Sequence, residues 1–146
     1  MSTKKDNFIL SDKKLMKLAI SLAENQKYFT GTNPSVGCVI TKNNKIISYG
    51  VTGKNGRPHA EINAINKKKS KDLYNSSVYV SLEPCTHYGK TPPCTNTLIK
   101  KKFKKVFFSH TDEDKRTKNT AKNILEKNKI NVKKKFYKQQ SQKIIF

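Results

Sequence analysis

No stretch of this chain approaches the roughly 20 consecutive apolar residues that a membrane-spanning helix needs. The opening residues Met1 to Asp6 are polar and charged and lack the apolar block of a secretory signal, so the expected location is cytoplasmic, with no membrane partner. Cysteine is scarce, at Cys38, Cys85 and Cys94 only. An odd count without an export signal argues against a disulfide framework and for reduced thiols free to bind metal. Arginine is scarcer still: Arg57 and Arg116 are the only two among 31 basic residues. Neither an internal repeat nor a linker divides the 146 residues, a length that suits one domain with one active site. A single domain over residues 1–146 is expected.

The formal net charge of +21 has two readings. Clustered lysines are the usual electrostatic footprint of nucleic-acid binding. Specific forks to bases or phosphates favour Arg, however, and Lys here accompanies abundant Asn, as in Lys42-Asn43-Asn44-Lys45, a pairing that A/T-rich coding also produces. Solvated, composition-driven lysines are the expectation, with nucleic acid kept as the alternative.

Ser11 is placed to cap a helix whose apolar residues Leu15, Leu18, Ala19, Leu22 and Ala23 fall three or four apart. Val36–Ile40 and Lys45–Tyr49 flank the polar turn Asn43-Asn44 and read as a β-hairpin. Gly53, Gly56 and Pro58 form a loop delivering His59-Ala60-Glu61 to a second helix, with Pro58 suited to its first turn. Ser77–Leu82 is the next strand, followed by a loop and a helix from near Cys94. Lys105–Phe108, Thr117–Asn128 and Ile130–Val132 read as strand, helix and short last strand. An opening hairpin followed by alternating strands and helices implies a three-layer α/β/α sandwich with a mixed sheet of about five strands. The basic tail from Lys133 is weakly patterned and expected to fray.

His59 and Glu61 lie two apart at a helix start, so their side chains diverge by about 200° and do not both ligate one metal without distortion. The economical division is that His59 binds and Glu61 reaches over an open coordination position. Cys85 after Pro84 and Cys94 after Pro92-Pro93 add two thiolates at the ends of a Pro-braced loop. Three protein ligands with a fourth position for water is the pattern of a catalytic zinc site, whereas structural sites are usually closed by four. An H-x-E followed by P-C and a second Cys is the zinc-deaminase template, in which the Glu shuttles protons. The departure is the spacing, with eight residues, Thr86 to Pro93, between the cysteines. Cys38, in an apolar strand, is expected to be a packed core thiol. His110 is expected to be an exposed strand-end histidine, and Asp112 is able to cap the turn that follows.

The loop Cys85-Thr86-His87-Tyr88-Gly89-Lys90-Thr91-Pro92-Pro93-Cys94 after Ser81-Leu82-Glu83-Pro84, with Thr32–Val39 and Pro58–Glu61 in the same order, resembles the deaminase domain of the RibD family of riboflavin-biosynthesis proteins. The resemblance runs from about Leu15 to Phe146. It implies a cytidine-deaminase-like fold, a Zn2+ cofactor, and hydrolytic loss of ammonia from the amino-bearing carbon of a diaminopyrimidinone carrying a ribosylamino 5′-phosphate. It implies metal ligation by His59, Cys85 and Cys94, proton transfer by Glu61, and substrate contacts from Asn33, His87, Lys90 and Thr91, with Lys90 suited to the phosphate.

The chain departs from the family at Thr52, where a His is usual, at Asp112-Glu113-Asp114-Lys115, where Asp-Pro-Asn-Pro is usual, and at Asn119-Thr120-Ala121, where Gly-x-Gly is usual. Many relatives carry a C-terminal NADPH-dependent reductase domain that these residues do not include. A separate reductase partner and a longer parent protein both stay open, as does a homo-oligomer. The alternatives are a base deaminase acting on tRNA adenosine or single-stranded DNA cytosine, and a non-enzymatic zinc-stabilised basic binding module.

Overall fold

The computed structural model describes residues 11–134. From residue 135 on, the tail expected to fray lies outside the described residues. Helix α1 (Asp12–Gln26) begins where Ser11 accepts the Lys14 amide at 3.2 Å, the side-chain cap the sequence announces. Strands β1 (Gly37–Lys42) and β2 (Lys45–Val51) form the opening hairpin. Its turn residues Asn43 and Asn44 both take positive φ, 53° and 63°, as a two-residue hairpin turn requires.

Helix α2 (Ala60–Asn66) and a single turn, α3 (Ser70–Leu73), lead into β3 (Ser77–Leu82); α4 (Cys94–Lys100), β4 (Lys105–His110), α5 (Ala121–Lys127) and β5 (Asn131–Lys133) follow. The sheet order is β2-β1-β3-β4-β5, antiparallel across β2-β1-β3 and parallel across β3-β4-β5. The mixed five-stranded sheet is as the element pattern implied. Helix α5 is shorter than expected: it starts at Ala121, because residues 114–120 form turns whose Asn119 has φ 62°. Pro58 also differs from expectation. It precedes the N-cap His59 instead of opening the helix, and its bond to Arg57 is cis.

Residue alternation along the strands assigns the layers, since successive side chains point to opposite faces. Val39, Tyr79 and Phe107 pack with Leu15, Met16, Ala19 and Ile20 of α1. Their strand neighbours Cys38, Ile40, Val78, Val80, Val106 and Phe108 pack with Ala64, Leu98 and Leu125 of α2, α4 and α5. Helices thus cover both faces. That is why these strands read as nearly unbroken apolar runs.

Two glycines let helices touch the sheet backbone. A Cβ at Gly37 would lie 1.9 Å from the Ala19 carbonyl oxygen, and one at Gly50 would lie 2.4 Å from the Ala60 oxygen and 2.5 Å from the Ala64 nitrogen. Helix α2 is therefore pinned to β2 at its first turn, beside His59 and Glu61. Gly50→Ala is expected to destabilise the fold by about 1–3 kcal/mol or more, since backbone and not a flexible side chain must yield. Urea denaturation measures it; a wild-type midpoint would contradict the close approach.

Candidate active site

The carboxyl ends of β3 and β4 and the amino ends of α2 and α4 converge, the place where open α/β sheets form ligand crevices. His59 is the N-cap of α2, Cys94 is the first residue of α4, and Cys85 follows β3 through Glu83-Pro84. Their donor atoms all lie within 4.8 Å of one another. Nδ1 of His59 is 3.3 Å from the Cys94 sulfur and 3.7 Å from that of Cys85, and the Cys94 amide donates to the Cys85 sulfur at 3.2 Å. The Cys85 carbonyl is fixed in turn by the amide and hydroxyl of Thr95.

One imidazole nitrogen and two thiolate-capable sulfurs match the borderline-soft preference of zinc. Among the described residues no other His, Cys, Asp or Glu joins the group, so it supplies three ligands and leaves a fourth direction open. The electrostatics favour thiolate. A hydrogen bond from the Cys94 thiol, helped by His59, holds the Cys85 thiol down at about 4 against the effect of burial. The same contact and burial push the Cys94 thiol up, while the Cys85 thiolate raises His59. Glu61, only 4% exposed, is pushed up to about 7 by burial, with the nearby imidazole pulling it back. Cys38 is the core thiol expected of it, fully buried among the apolar side chains between the sheet and α2.

A cavity of about 340 Å³ opens over the cluster. Of the residues expected around the substrate, Asn33 and His87 line it. Asn33 is set by its amide, which donates to the Asn55 carbonyl at 3.2 Å, and by Gly56, whose φ of 98° and lack of a Cβ leave room for the Asn33 side chain. The His87 Nδ1 lies 2.8 Å from the Thr117 hydroxyl and its Nε2 3.9 Å from the Asp114 carboxylate. Lys90 and Thr91 are exposed and do not line the cavity; the Thr91 hydroxyl instead accepts from Arg57 at 2.9 Å. Thr52 lines the wall, its hydroxyl oxygen accepting the Val36 amide at 2.8 Å. His110 is not exposed. It is 4% accessible, because β4 is buried to its end, and its Nε2 lies 3.8 Å from Glu113.

Asp112 does cap the next turn, accepting the Asp114 amide at 2.9 Å, and burial raises its carboxyl. Arg116 grips Asp114 with two donors, Nε at 3.0 Å and Nη2 at 2.6 Å, which holds the Asp114 carboxyl well below the usual range. Arg57, Glu83 and Arg116 are among the lining residues that carry no role in the sequence reading. Glu83 had a legible signal, a carboxylate at a strand end between Leu82 and Pro84, where an apolar residue would otherwise be buried. Its side chain accepts the amides of Asp112, Asn119, Thr120 and Ala121 at 3.0–3.2 Å.

Comparison with known proteins agrees with this geometry. Residues 10–110 match the cytidine and deoxycytidylate deaminase zinc-binding region. The chain is similar to a diaminohydroxyphosphoribosylamino-pyrimidine deaminase of Buchnera aphidicola, 40% identical over 134 residues, covering 92% of this chain and 90% of that one. It is 46% identical over 101 residues to the riboflavin biosynthesis protein RibD of Aquifex aeolicus, of which it spans 28%. The solved structure of Acinetobacter baumannii RibD superposes with a TM-score of 0.85 at 37% identity, covering 91% of this chain and 37% of that one. With the donor set, the cavity and the sheet order in agreement, the chain belongs to the zinc-binding cytidine and deoxycytidylate deaminase family, in the branch of the riboflavin-biosynthesis deaminases.

Proposed function

We propose that this chain hydrolyses the amino group from the cyclic amidine of a diaminopyrimidinone carrying a ribosylamino 5′-phosphate, releasing ammonia and leaving the corresponding pyrimidinedione, in riboflavin biosynthesis. The observation that carries the reading is the three-donor cluster of His59, Cys85 and Cys94, two of whose members, His59 and Cys85, line the same cavity as the buried carboxyl of Glu61. Zinc held there supplies Lewis acidity, which makes water nucleophilic at neutral pH.

Glu61 does the proton work. It takes a proton from the attacking water and gives it to the ring nitrogen of the amidine, then takes the proton of the newly added hydroxyl and gives it to the amine, so that the carbonyl forms as ammonia leaves. Asn33 and His87, which both line the cavity, orient the ring by hydrogen bonds. The cavity volume of about 340 Å³ suits a small ligand.

A nucleic-acid base as substrate is not favoured. Among the described residues no lysine lines the cavity, so their charge does not converge on the site.

Zinc is expected at about one per chain, and Cys94→Ser is expected to lose most of it together with stability, because ligand binding and folding are coupled. Metal analysis and thermal denaturation read this; full occupancy in the variant would remove Cys94 from the ligand set. Glu61→Gln is expected to keep zinc and fold while single-turnover ammonia release falls by about 10²–10⁴-fold or more. A zinc-replete variant within about tenfold of wild type would require another proton carrier.

A further inference from the structure

In this chain 29 of 31 basic residues are lysine, yet among the described residues the cavity lining holds no lysine and both arginines. Five of the ten acidic residues line it as well: Glu61, Glu83, Asp112, Glu113 and Asp114. Such a wall repels an anionic substrate unless its charges are answered locally. Most are. Glu83 is satisfied by four backbone amides, Asp112 accepts the Asp114 amide, Glu113 lies 3.9 Å from Lys118, and Asp114 is held by the two-donor grip of Arg116.

That grip commits Arg116 to neutralising its neighbour. Arg57 is different. Half-buried at the rim, it forms no ion pair among the described residues, and its one side-chain hydrogen bond is from Nη1 to the uncharged Thr91 hydroxyl. Gly89 lies under the other end of the fork, where a Cβ would come 3.4 Å from Nη2. The 89–91 stretch of the cysteine loop therefore braces an arginine, while Lys90 points its exposed position away from the lining.

We propose that Arg57 is the anion-binding residue of this cavity, receiving the phosphate of the substrate on the N–H groups not committed to Thr91, and that Lys90 is not. The inference rests on the reading of the substrate as a phosphorylated heterocycle and sets which residue makes it specific for the phosphorylated form. A guanidinium fork meets phosphate with parallel donors, and the Thr91 brace lowers the entropy of aiming it. Two arginines in one cavity also decide between composition and function. Both arginines of this lysine-rich chain lie in the cavity wall, where a planar, multi-donor cation is of use.

The test compares kcat/KM of the zinc-loaded wild type, Arg57→Ala, Arg57→Lys, Thr91→Val and Lys90→Ala on the phosphorylated substrate and on its dephosphorylated analogue. A charge-assisted contact predicts a loss of roughly ten- to a hundredfold for Arg57→Ala on the phosphorylated substrate, with less than about threefold on the analogue. Arg57→Lys and Thr91→Val fall between it and wild type, and Lys90→Ala keeps the preference for phosphate. Equal losses on both substrates in Arg57→Ala, or loss of the preference in Lys90→Ala alone, would overturn the proposal.

A second arm does not depend on turnover: the rise in melting temperature given by inorganic phosphate at constant ionic strength. Lysines scattered over the surface contribute equally in every variant, so the difference between wild type and Arg57→Ala isolates the cavity. A smaller rise in Arg57→Ala than in Lys90→Ala supports the assignment, and identical rises refute it. Should wild type release ammonia from neither substrate while this difference persists, it is the deaminase reading that fails and not the anion site.

Discussion

A carboxylate almost without access to water holds the catalytic end of this molecule together. Glu83 is 2% exposed and has no cation within salt-bridge distance among the described residues, a state that costs several kcal/mol for an ion unless hydrogen bonds replace its hydration. They do so here. Oε1 receives the amides of Asp112 and Asn119, Oε2 those of Thr120 and Ala121, and the Glu83 amide itself donates to the His110 carbonyl at 2.7 Å. One side chain thereby fastens the end of β3, two residues before Cys85, to the segment after β4 and to the start of α5. The metal cluster and the far wall of the cavity are built on the same anchor.

Charge is arranged on the same economy. The surface is a field of lysines, which favours solubility and repulsion between copies over any directed contact. Inward, the pattern reverses to acids, histidines and the two arginines, and nearly every ion there has a named partner. Fixed, locally neutralised dipoles stabilise changing charge better than free water does, because they need not reorganise. The pair Asp114 and Arg116 contributes by holding its own charges still, which frees the Asp114 carboxylate to face His87.

Local chemistry was legible in the sequence; long-range pairing was not. The Ser11 cap, the Asn43-Asn44 turn, the alternation of Cys38 with Val39 and the joint spacing of His59, Glu61, Cys85 and Cys94 each depend on neighbours within a few residues, or on donor types with few other uses. His110 was misjudged because a polar residue at a strand end is usually solvated, and only the tertiary position of β4 buries it. The helix expected from Thr117 starts four residues later because Glu83, 38 residues before Ala121, takes the amides that would have been its first orphan donors. Lys90 lies in the cysteine loop yet stays outside the cavity, whereas Arg57, brought beside that loop by a turn 34 residues away in sequence, lines it. A resemblance between loops carries side-chain roles only as far as the loops approach the same space.

The departures from the family pattern acquire a physical sense from the Glu83 anchor. Apart from Thr52, they fall at residues 112–115 and 119–121, in a stretch of the cavity wall that Glu83 holds through backbone N–H groups. An anchor that reads only amides is indifferent to side-chain identity, provided the backbone can follow the required path. Asn119 meets that condition where glycine is usual, since its φ of 62° lies in the left-handed region that asparagine tolerates better than most residues. The side chains of Thr117 and Thr120 add a tie of their own, bonding the amide and hydroxyl of Thr86 beside Cys85. Within the same segment Asp114 and Arg116 form a self-neutralising pair beside His87, so the wall presents paired charge to the cavity that holds the metal donors and Glu61.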